Sequence, residues 1–413
     1  MTSRSFECQC SRRSVLRALG MGAGLPLFLQ ETNLAFAANT AAGVNLKHPE
    51  RILVVVELSG GNDGLNTVVP FTDDQYYRLR PRINIPKAKV IRLNGDLGLH
   101  ERLLGFESLH KDGRLAIVNG CGYPNPDRSH FVSMRYWQTA DPHGTESNGW
   151  IGRFADGAWT KPVSGLVVNV AKEQAQAVQG VVQSPITFDD PKRFTRDGSE
   201  AEKQAFAEVF KRADTASGNE SLKFVRSVAT TAAESSSFVS HACQEYKSIV
   251  DYGYGAIGAD LKKVSALIKA DYSARIYYVK LGSFDTHASQ TSTHSLLFNQ
   301  LGDAIYGFLN DINRIGRSGD VAMMMFSEFG RRVAENASQG TDHGVAAPMF
   351  IAGATVKGGM YGKYPSLTDL DEGDLKMTTD FRSVYATMMK EWMGFDETKS
   401  VLKGSYPALG VFA

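Results

Sequence analysis

Six short apolar runs recur along the chain, and they constrain its fold more than any other feature. They are residues 52–58, 115–119, 166–170, 275–281, 321–326 and 349–352. They are rich in Val, Ile and Met and do not alternate with polar residues, which is typical of strands buried on both faces of a parallel sheet. Amphipathic helical patterns lie between them, most clearly over 300–313. This alternation predicts an α/β fold with a mostly parallel central sheet between helices.

The segment 190–270 differs in composition from the rest of the chain. It is rich in Ala, Ser, Lys and Glu, and Phe206, Val209 and Phe210 recur at helical spacing. We expect two or three helices inserted into the α/β core or capping it. Two interpretations stay open, since the helices could cover an active site or form a plain surface insertion.

Residues 1–38 predict a removable twin-arginine signal peptide. Arg12 and Arg13 precede an apolar stretch, 18–29, that is too short to span a bilayer, because spanning takes about 20 apolar residues. Residues 35–37 (AFA) then offer a cleavage site between small residues. Paired arginines indicate the twin-arginine route. We therefore expect a periplasmic or secreted protein whose mature domain is 39–413.

Charge and hydropathy exclude two classes of partner. The formal net charge is +1, whereas binding to nucleic acid requires a basic surface for the phosphates. No run after the predicted signal is long and apolar enough to span a membrane.

The cysteines leave one question open. Cys8 and Cys10 lie in the predicted signal, so Cys121 and Cys243 remain in the mature chain. One disulfide between them is an alternative in the periplasm. We favour two buried free thiols.

Polar clusters follow the carboxyl ends of four of the predicted strands. They are 59–64 (SGGNDG), 127–130 (DRSH), 284–287 (FDTH) and 327–331 (SEFGR), and a fifth, 341–344 (TDHG), precedes the last strand. In open α/β sheets, ligands bind outside the carboxyl ends of the strands. The five clusters are therefore expected to converge on one site.

Carboxylates and imidazoles in these clusters suit a divalent cation, with Zn favoured by imidazole and Mn or Ca by oxygen. Asp63 lies in a glycine-rich turn and is a candidate ligand, although it could instead cap the backbone. Asp285 and His287 are a second candidate pair. If a helix starts near Thr286, His294 shares one helical face with His287. The alternative for this segment is a hydrogen-bonded loop.

Two further clusters carry candidate ligands. Glu328 could be a ligand or a base, and Arg331 could clamp an oxyanion bidentately, or both could form structural ion pairs. Asp342 and His343 repeat the pairing of carboxylate with imidazole.

Ser129 and His130 begin a predicted helix over 131–139. Ser129 suits the N-cap by residue type, which alone would explain its presence. The functional interpretation places its hydroxyl at a helix N-terminus that favours anions, where a metal could lower its pKa for attack on a phosphoryl or sulfuryl centre. His130 could be a ligand, a base or a packed core histidine.

Together these motifs resemble a bacterial family catalogued as domain of unknown function 1501. Besides the leader, the matching stretches are LVVVELSGGNDGLNTVVP (53–70), RSHFVSMRYW (128–137), FDTHASQ (284–290), FSEFGRRVAEN (326–336) and GTDHGVAAPMFIAG (340–353). The family is grouped by similarity with the alkaline phosphatase and sulfatase superfamily. The resemblance implies an alkaline-phosphatase-like fold with a metal site at the strand ends.

By position, the resemblance implies that Asp63 is an early metal ligand, Ser129 the nucleophile, and Asp285 with His287 a ligand pair. His343 matches the superfamily's last single histidine. Where the superfamily has an Asp-His-Gly element, this chain has Glu328 and Phe329 in place of the aspartate and the histidine. The resemblance therefore implies one metal ion, or none, rather than two.

We predict from these residues an exported metal-dependent hydrolase of phosphate or sulfate esters. Ser129 would attack, a divalent Zn, Mn or Ca ion would neutralise the developing charge, and Arg331 would help to hold the oxyanion. The expected partner is a small-molecule ester. The alternative is a non-catalytic secreted protein that keeps the fold and binds a metal or a partner protein.

Overall fold

The computed structural model describes residues 43–194, 208 and 235–412. The predicted signal peptide, 1–38, lies outside the described residues, as does most of 195–234 in the predicted helical insertion. Of the described part of that insertion, residues 235–245 are helical. The chain divides into two compact units, and the larger one comprises Ala35–Thr187 and Lys247–Ala413. Among the described residues, no helix combines the length and apolar composition needed to cross a membrane.

A nine-stranded sheet forms the centre of the fold. The strands, including those of two small sheets, are β1 Ile52–Leu58, β2 Val68–Val69, β3 Ile91–Arg92, β4 Gly98–Leu99, β5 Leu115–Gly122, β6 Val167–Val170, β7 Ile186–Phe188, β8 Ile276–Leu281, β9 Val321–Phe326, β10 Ala347–Gly353, β11 Gly359–Tyr361, β12 Leu370–Asp371, β13 Asp374–Leu375 and β14 Thr379–Asp380. The sheet order is β11-β5-β10-β9-β1-β8-β6-β7, and β14 also pairs with β5. β1 is parallel to β8 and β9, whereas β10 is antiparallel to both of its neighbours. The predicted α/β class with a mostly parallel sheet is confirmed.

Helices cover both faces of this sheet. They are α1 Gly64–Thr67, α2 Asp74–Leu79, α3 Leu104–Lys111, α4 His130–Thr139, α5 Trp150–Ala158, α6 Ala256–Lys269, α7 Gln290–Arg314, α8 Phe381–Thr387 and α9 Thr398–Leu402, with a 3₁₀ turn at Gln176–Val178 and a π turn at Met388–Trp392. On one face, α7 packs against α3 and α6. On the other face, alternate residues of β1 pack with aromatic residues of α4, α5 and α8, such as Trp137, Trp150 and Phe381.

The observed elements match the apolar runs closely and differ at one point that concerns the site. Runs 52–58 and 321–326 are strands at their predicted bounds, and the other four shift at one or both ends. The condition for His287 and His294 to share one helical face is not met, because α7 begins at Gln290 and not near Thr286. His287 therefore lies in a loop. Cys121 is a buried free thiol in β5, and burial raises its pKa.

Two glycines let the strand ends come together. After β1 the chain turns through Gly60 (φ 120°) and Gly61 (φ 73°), which is backbone that favours glycine. A Cβ on Gly60 would lie 2.5 Å from the backbone nitrogen of Asp285, and one on Gly61 would lie 2.3 Å from the ring of Phe329. Larger residues at these positions would push the site loops apart.

Candidate metal centre

Three side chains from distant parts of the sequence meet outside the carboxyl edge of the sheet. His130 is the first residue of α4, Asp285 follows β8, and His343 precedes β10. One ligand atom from each lies within 4.8 Å of the others. Asp285 Oδ1 is 3.3 Å from His130 Nε2 and 3.3 Å from His343 Nε2. The three donor atoms are thus close enough to bind one metal ion.

The two histidine rings are held through their Nδ1 atoms. His130 Nδ1 lies 2.8 Å from Glu328 Oε1, and His343 Nδ1 lies 2.7 Å from the carbonyl oxygen of Arg128. A carboxylate and a carbonyl only accept, so Nδ1 carries the hydrogen and each neutral ring presents the Nε2 lone pair. His130 Nε2 is buried without a hydrogen-bond partner among the described residues. Such outer contacts are typical of histidine metal ligands.

His287 is a fourth donor at the edge of the cluster. Its Nε2 atom lies 2.9 Å from His343 Nε2 and 3.0 Å from Asp285 Oδ1. Its Nδ1 atom lies 3.2 Å from Asp342 Oδ1, which also accepts from the Asn336 amide at 3.1 Å. Asp342, predicted as a ligand, therefore lies behind His287 in the structure.

The local charges favour donors that are ready to bind. Burial tends to raise the pKa of Asp285, but the Arg331 guanidinium at 2.7 Å holds it at about 2. Burial also lowers the pKa of the His343 imidazole, which keeps it neutral. The hydrogen bond that His130 donates to the Glu328 carboxylate raises the pKa of His130. A proton and a metal ion would therefore compete for His130 Nε2.

Glu328 contacts a cluster residue rather than presenting its carboxylate at the ligand position. The side chain is buried, and Oε1 accepts from His130 Nδ1 and, at 2.9 Å, from the backbone N–H of Gly60. Oε2 is 3.1 Å from the Ser327 hydroxyl. This arrangement fits a positioning role behind His130 and not the predicted role as a ligand.

Arg331 is fully buried and serves the loops that carry the cluster. Its guanidinium donates to Asp285 and to the backbone carbonyls of Gly60, Gly61, Phe284 and Thr341. Such a guanidinium holds three strand-end loops together. The geometry therefore does not aim it at an incoming oxyanion, which is the role predicted from the sequence.

Asp63 forms a buried ion pair on the inner side of these loops. Its Oδ2 atom is 2.5 Å from Arg80 Nη1 and also accepts from the Gln290 amide, while Oδ1 caps α1 through Leu65 N at 3.2 Å. Burial tends to raise the pKa of Asp63, but Arg80 holds it below its ordinary value. The backbone-capping interpretation of Asp63 describes these contacts, whereas the ligand interpretation does not.

Ser129 occupies the N-cap of α4, but its hydroxyl does not cap the helix. The backbone N–H of Ser129 donates to Asp127 Oδ1 at 2.7 Å. Ser129 lies between Arg128, whose carbonyl holds His343, and the cluster residue His130. The capping role that residue type alone suggested is therefore not the one observed.

Phe329 packs against both rings of the cluster. Its ring centroid lies 4.8 Å from that of His130 and 4.9 Å from that of His343. Phe329 thus contributes an apolar ring, and no donor atom, to the wall of the cluster. The arrangement suits a single metal ion.

Sequence reasoning missed three partners of the site: the Arg128 carbonyl, Arg80 and Gln290. Arg80 and Gln290 hold Asp63, and Gln290 Oε1 also accepts from Thr341 at 2.6 Å. A backbone carbonyl leaves no signal in residue type. Gln290 lies between Ser289 and Thr291, and Arg80 lies between two other arginines, so the sequence gives no signal that either side chain is buried.

Comparisons with known proteins place the chain in a family and find solved structures that align with most of its length. The family model described as "Protein of unknown function (DUF1501)" matches residues 116–405. No curated protein matches the sequence. Each solved structure below has a TM-score under 0.5, so the likeness by itself assigns no chemistry to this chain.

Three of these solved structures are bacterial. The C-terminal periplasmic domain of EcEptC from Escherichia coli is 11% identical, with a TM-score of 0.36, over 87% of this chain and 89% of that chain. The lipoteichoic acid synthase LtaP from Listeria monocytogenes is 11% identical, with a TM-score of 0.34, over 88% and 79%. The alkaline phosphatase from the Antarctic bacterium TAB5 is 9% identical, with a TM-score of 0.30, over 75% and 92%.

Proposed function

This chain belongs to the DUF1501 family, and on that premise we propose that it is an exported metal-dependent hydrolase of phosphate or sulfate esters. One observation carries the proposal. His130, Asp285 and His343 bring three donor atoms within 4.8 Å of one another beside a serine at a helix N-terminus. Metal, nucleophile and anion-binding backbone are the three parts that such a hydrolysis needs.

The donor set fits a divalent transition metal. Two imidazole nitrogens and one carboxylate oxygen, with His287 as a further nitrogen, suit Zn better than Mg or Ca. The buried, unpartnered Nε2 of His130 is an atom that a bound cation would satisfy. A cation held there would act as a Lewis acid on an ester oxygen and lower the pKa of a nearby hydroxyl.

Ser129 is the proposed nucleophile. Its hydroxyl is not used as a helix cap, and the first intrahelical bond of α4 runs from Ser133 N to Ser129 O. The N–H groups of residues 130–132 therefore have no acceptor within the helix. They point, with the positive end of the helix dipole, to where the non-bridging oxygens of an ester would bind.

Three other charged groups, Glu328, Asp342 and Arg331, would orient the metal-binding side chains and balance their charge. Glu328 fixes the ring of His130, and Asp342 fixes the ring of His287. Arg331 keeps the Asp285 carboxylate ionised and ties it to the loop after β1. None of these three groups needs to touch the substrate.

Export is part of the proposal. Residues 1–38 have the paired arginines, the short apolar region and the cleavage site of a twin-arginine signal. That route carries folded proteins, so the metal would be bound before translocation. The site would then work in the periplasm or outside the cell.

A second candidate function is a non-catalytic secreted protein that binds a metal. Two observations favour it. The Arg331 guanidinium donates to backbone carbonyls and to Asp285, and the apolar ring of Phe329 packs against both imidazoles where a further ligand would stand. Such a protein would hold one metal ion and turn over no ester.

The deciding experiment combines metal analysis with a screen of aryl phosphate and aryl sulfate esters. Protein purified after native export is compared with Ser129→Ala and with Ser108→Ala, a half-buried serine on α3. We expect near-stoichiometric metal in all three and turnover lost only in Ser129→Ala. Metal without turnover in the wild type would support the second function. A folded wild type with neither metal nor turnover would exclude both.

A further inference from the structure

A buried carboxylate next to the candidate metal centre holds two arginines together. Asp374 begins β13, and its side chain is 1% exposed. Arg128 donates to Asp374 Oδ2 from Nε at 2.8 Å and from Nη2. The Nε atom of Arg332 lies 3.7 Å from Asp374 Oδ1. The buried carboxylate of Asp374 therefore faces two guanidiniums.

The two guanidiniums keep donors for a further acceptor. The Arg332 side chain is 37% exposed, and within the described part of the chain its guanidinium donates no hydrogen bond. The Arg128 side chain is 38% exposed and leaves its Nη1 group uncommitted among the described residues. Arg331, by contrast, is fully buried with its donors on backbone carbonyls and Asp285. Arg332, and not its neighbour Arg331, therefore offers an accessible guanidinium.

Backbone bonds attach this arginine pair to the metal centre. The carbonyl of Arg128 holds the ring of His343, and the N–H of Arg332 donates to the carbonyl of Asp342 at 3.0 Å. Arg128 also precedes Ser129, the proposed nucleophile. One arginine of the pair and the proposed nucleophile therefore lie on neighbouring residues of the same segment.

The exposed carboxylate of Glu372 pairs with Arg128, and an anionic ligand could displace it. Glu372 lies at the turn between β12 and β13, its side chain is 75% exposed, and Oε2 is 3.4 Å from Arg128 Nη2. Its φ of 50° is a left-handed conformation that Gly or Asn adopts more readily. The next residue, Gly373, lies beside the Arg332 guanidinium, because a Cβ there would make an ordinary van der Waals contact of 3.5 Å with Arg332 Nη1.

We propose that Arg128 and Arg332 form a subsite for a second, non-reacting anionic group of the substrate. The reacting ester group would bind at the metal centre, and a carboxylate, phosphate or sulfate elsewhere on the same molecule would replace Glu372 on the arginines. Guanidiniums bind such oxyanions through paired, charge-assisted hydrogen bonds. This inference rests on the proposed ester hydrolysis and narrows its substrates to esters with an additional negative charge.

The test compares two ligands that differ by one carboxylate: phenyl phosphate and 4-carboxyphenyl phosphate. Binding to the exported, metal-analysed protein is measured by calorimetry in a Ser129→Ala background, so that neither ligand is consumed. We expect the carboxylate to tighten binding about tenfold, which corresponds to one charge-assisted hydrogen bond. In Arg332→Ala the gain should fall below about twofold, and Arg332→Lys should recover part of it.

Two further variants sharpen the result. Glu372→Gln removes the competing carboxylate, so the gain should rise by about two- to fivefold, the worth of an exposed ion pair. Arg314→Ala removes an exposed arginine from the end of α7, and the gain should be unchanged. The subsite would be overturned if the parent protein bound both ligands with the same affinity. It would also be overturned if Arg332→Ala and Arg314→Ala lost the preference for the carboxylated ligand equally. A carboxylate gain without turnover by the wild type would keep the subsite and reject the hydrolase.

Discussion

The backbone carbonyl oxygen of Arg128 accepts a hydrogen bond from His343 Nδ1 at 2.7 Å, although the two residues are 215 positions apart. This bond fixes both the tautomer and the orientation of the ring, so that Nε2 faces Asp285. It also joins the start of α4, which carries Ser129 and His130, to the segment that precedes β10. The candidate nucleophile and one candidate ligand are therefore positioned by the same contact.

Removing this imidazole should empty the metal centre. His343→Ala deletes one of the three clustered donors, and we expect the affinity for Zn to fall by about 100-fold or more, since even outer contacts are worth 10- to 100-fold. The measurement is the metal content of purified protein by mass spectrometry. His143→Ala, an exposed histidine, is the matched control and should keep its metal. Full metal content in His343→Ala would contradict the assigned site.

Glu328→Gln should weaken metal binding without unfolding the protein. The amide oxygen can still accept from His130 Nδ1 or Gly60 N, but the negative charge that makes the imidazole a better donor is lost. We expect about a 10- to 100-fold loss in affinity, measured by competition with a chromophoric chelator. Glu107→Gln, in an exposed ion pair with Lys111, should bind as tightly as wild type. Equal metal affinities in the two variants would show that Glu328 has no role in metal binding.

The strands and the convergence of the site could be predicted from the sequence for a physical reason. A strand buried on both faces must be apolar throughout, so continuous apolar runs such as 52–58 and 321–326 can be recognised as buried strands from the sequence. In parallel strands the carboxyl ends share one edge, and for this reason Asp285 and His130 were expected to meet there. His343 came from the cluster before β10, whose antiparallel direction brings its start to the same edge.

The roles of individual carboxylates could not be predicted in the same way. Asp63 and Glu328 both follow strands at the site edge, yet one pairs with Arg80 and the other holds His130. Whether a carboxylate binds a metal or supports a ligand depends on contacts of about 3 Å between segments far apart in sequence. Residue type and spacing do not contain these distances. The helix start at Gln290, which separates His287 from His294, is also set by tertiary contacts.

Breaking the Asp63–Arg80 pair should destabilise the fold and spare the metal. Both side chains are fully buried, so Asp63→Ala leaves an uncompensated guanidinium, and we expect a loss of about 3–5 kcal/mol in the free energy of unfolding. Urea denaturation measures the loss. Asp73→Ala removes only the N-cap of α2 and should lose about 1 kcal/mol. If Asp63→Ala were stable but metal-free, Asp63 would be a ligand after all.

Acid should destabilise the protein partly through His294, a fully buried residue of α7. Its Nε2 atom lies 3.1 Å from the Thr286 hydroxyl, whose own proton is directed at Gln290 Oε1, and its Nδ1 atom has no partner within the described residues. Burial lowers the pKa of His294 from 6.5 to about 4. The folded protein therefore keeps this ring neutral at a pH where the unfolded chain has already bound a proton.

The sign of the effect follows from that difference. The stabilisation is complete above pH 6.5 and is lost as the pH falls towards 4, because only the unfolded state gains a proton in this window. The loss approaches about 3 kcal/mol, at roughly 1.4 kcal/mol per pKa unit. His294→Gln keeps an N–H donor for Thr286 and cannot titrate, so its free energy of unfolding should fall less steeply between pH 6.5 and 4. Burial also lowers the pKa of His100, to about 3, and the interaction with His294 adds to that shift, so the difference between the two proteins includes this coupling. Parallel curves for wild type and His294→Gln would show that His294 is not the group responsible.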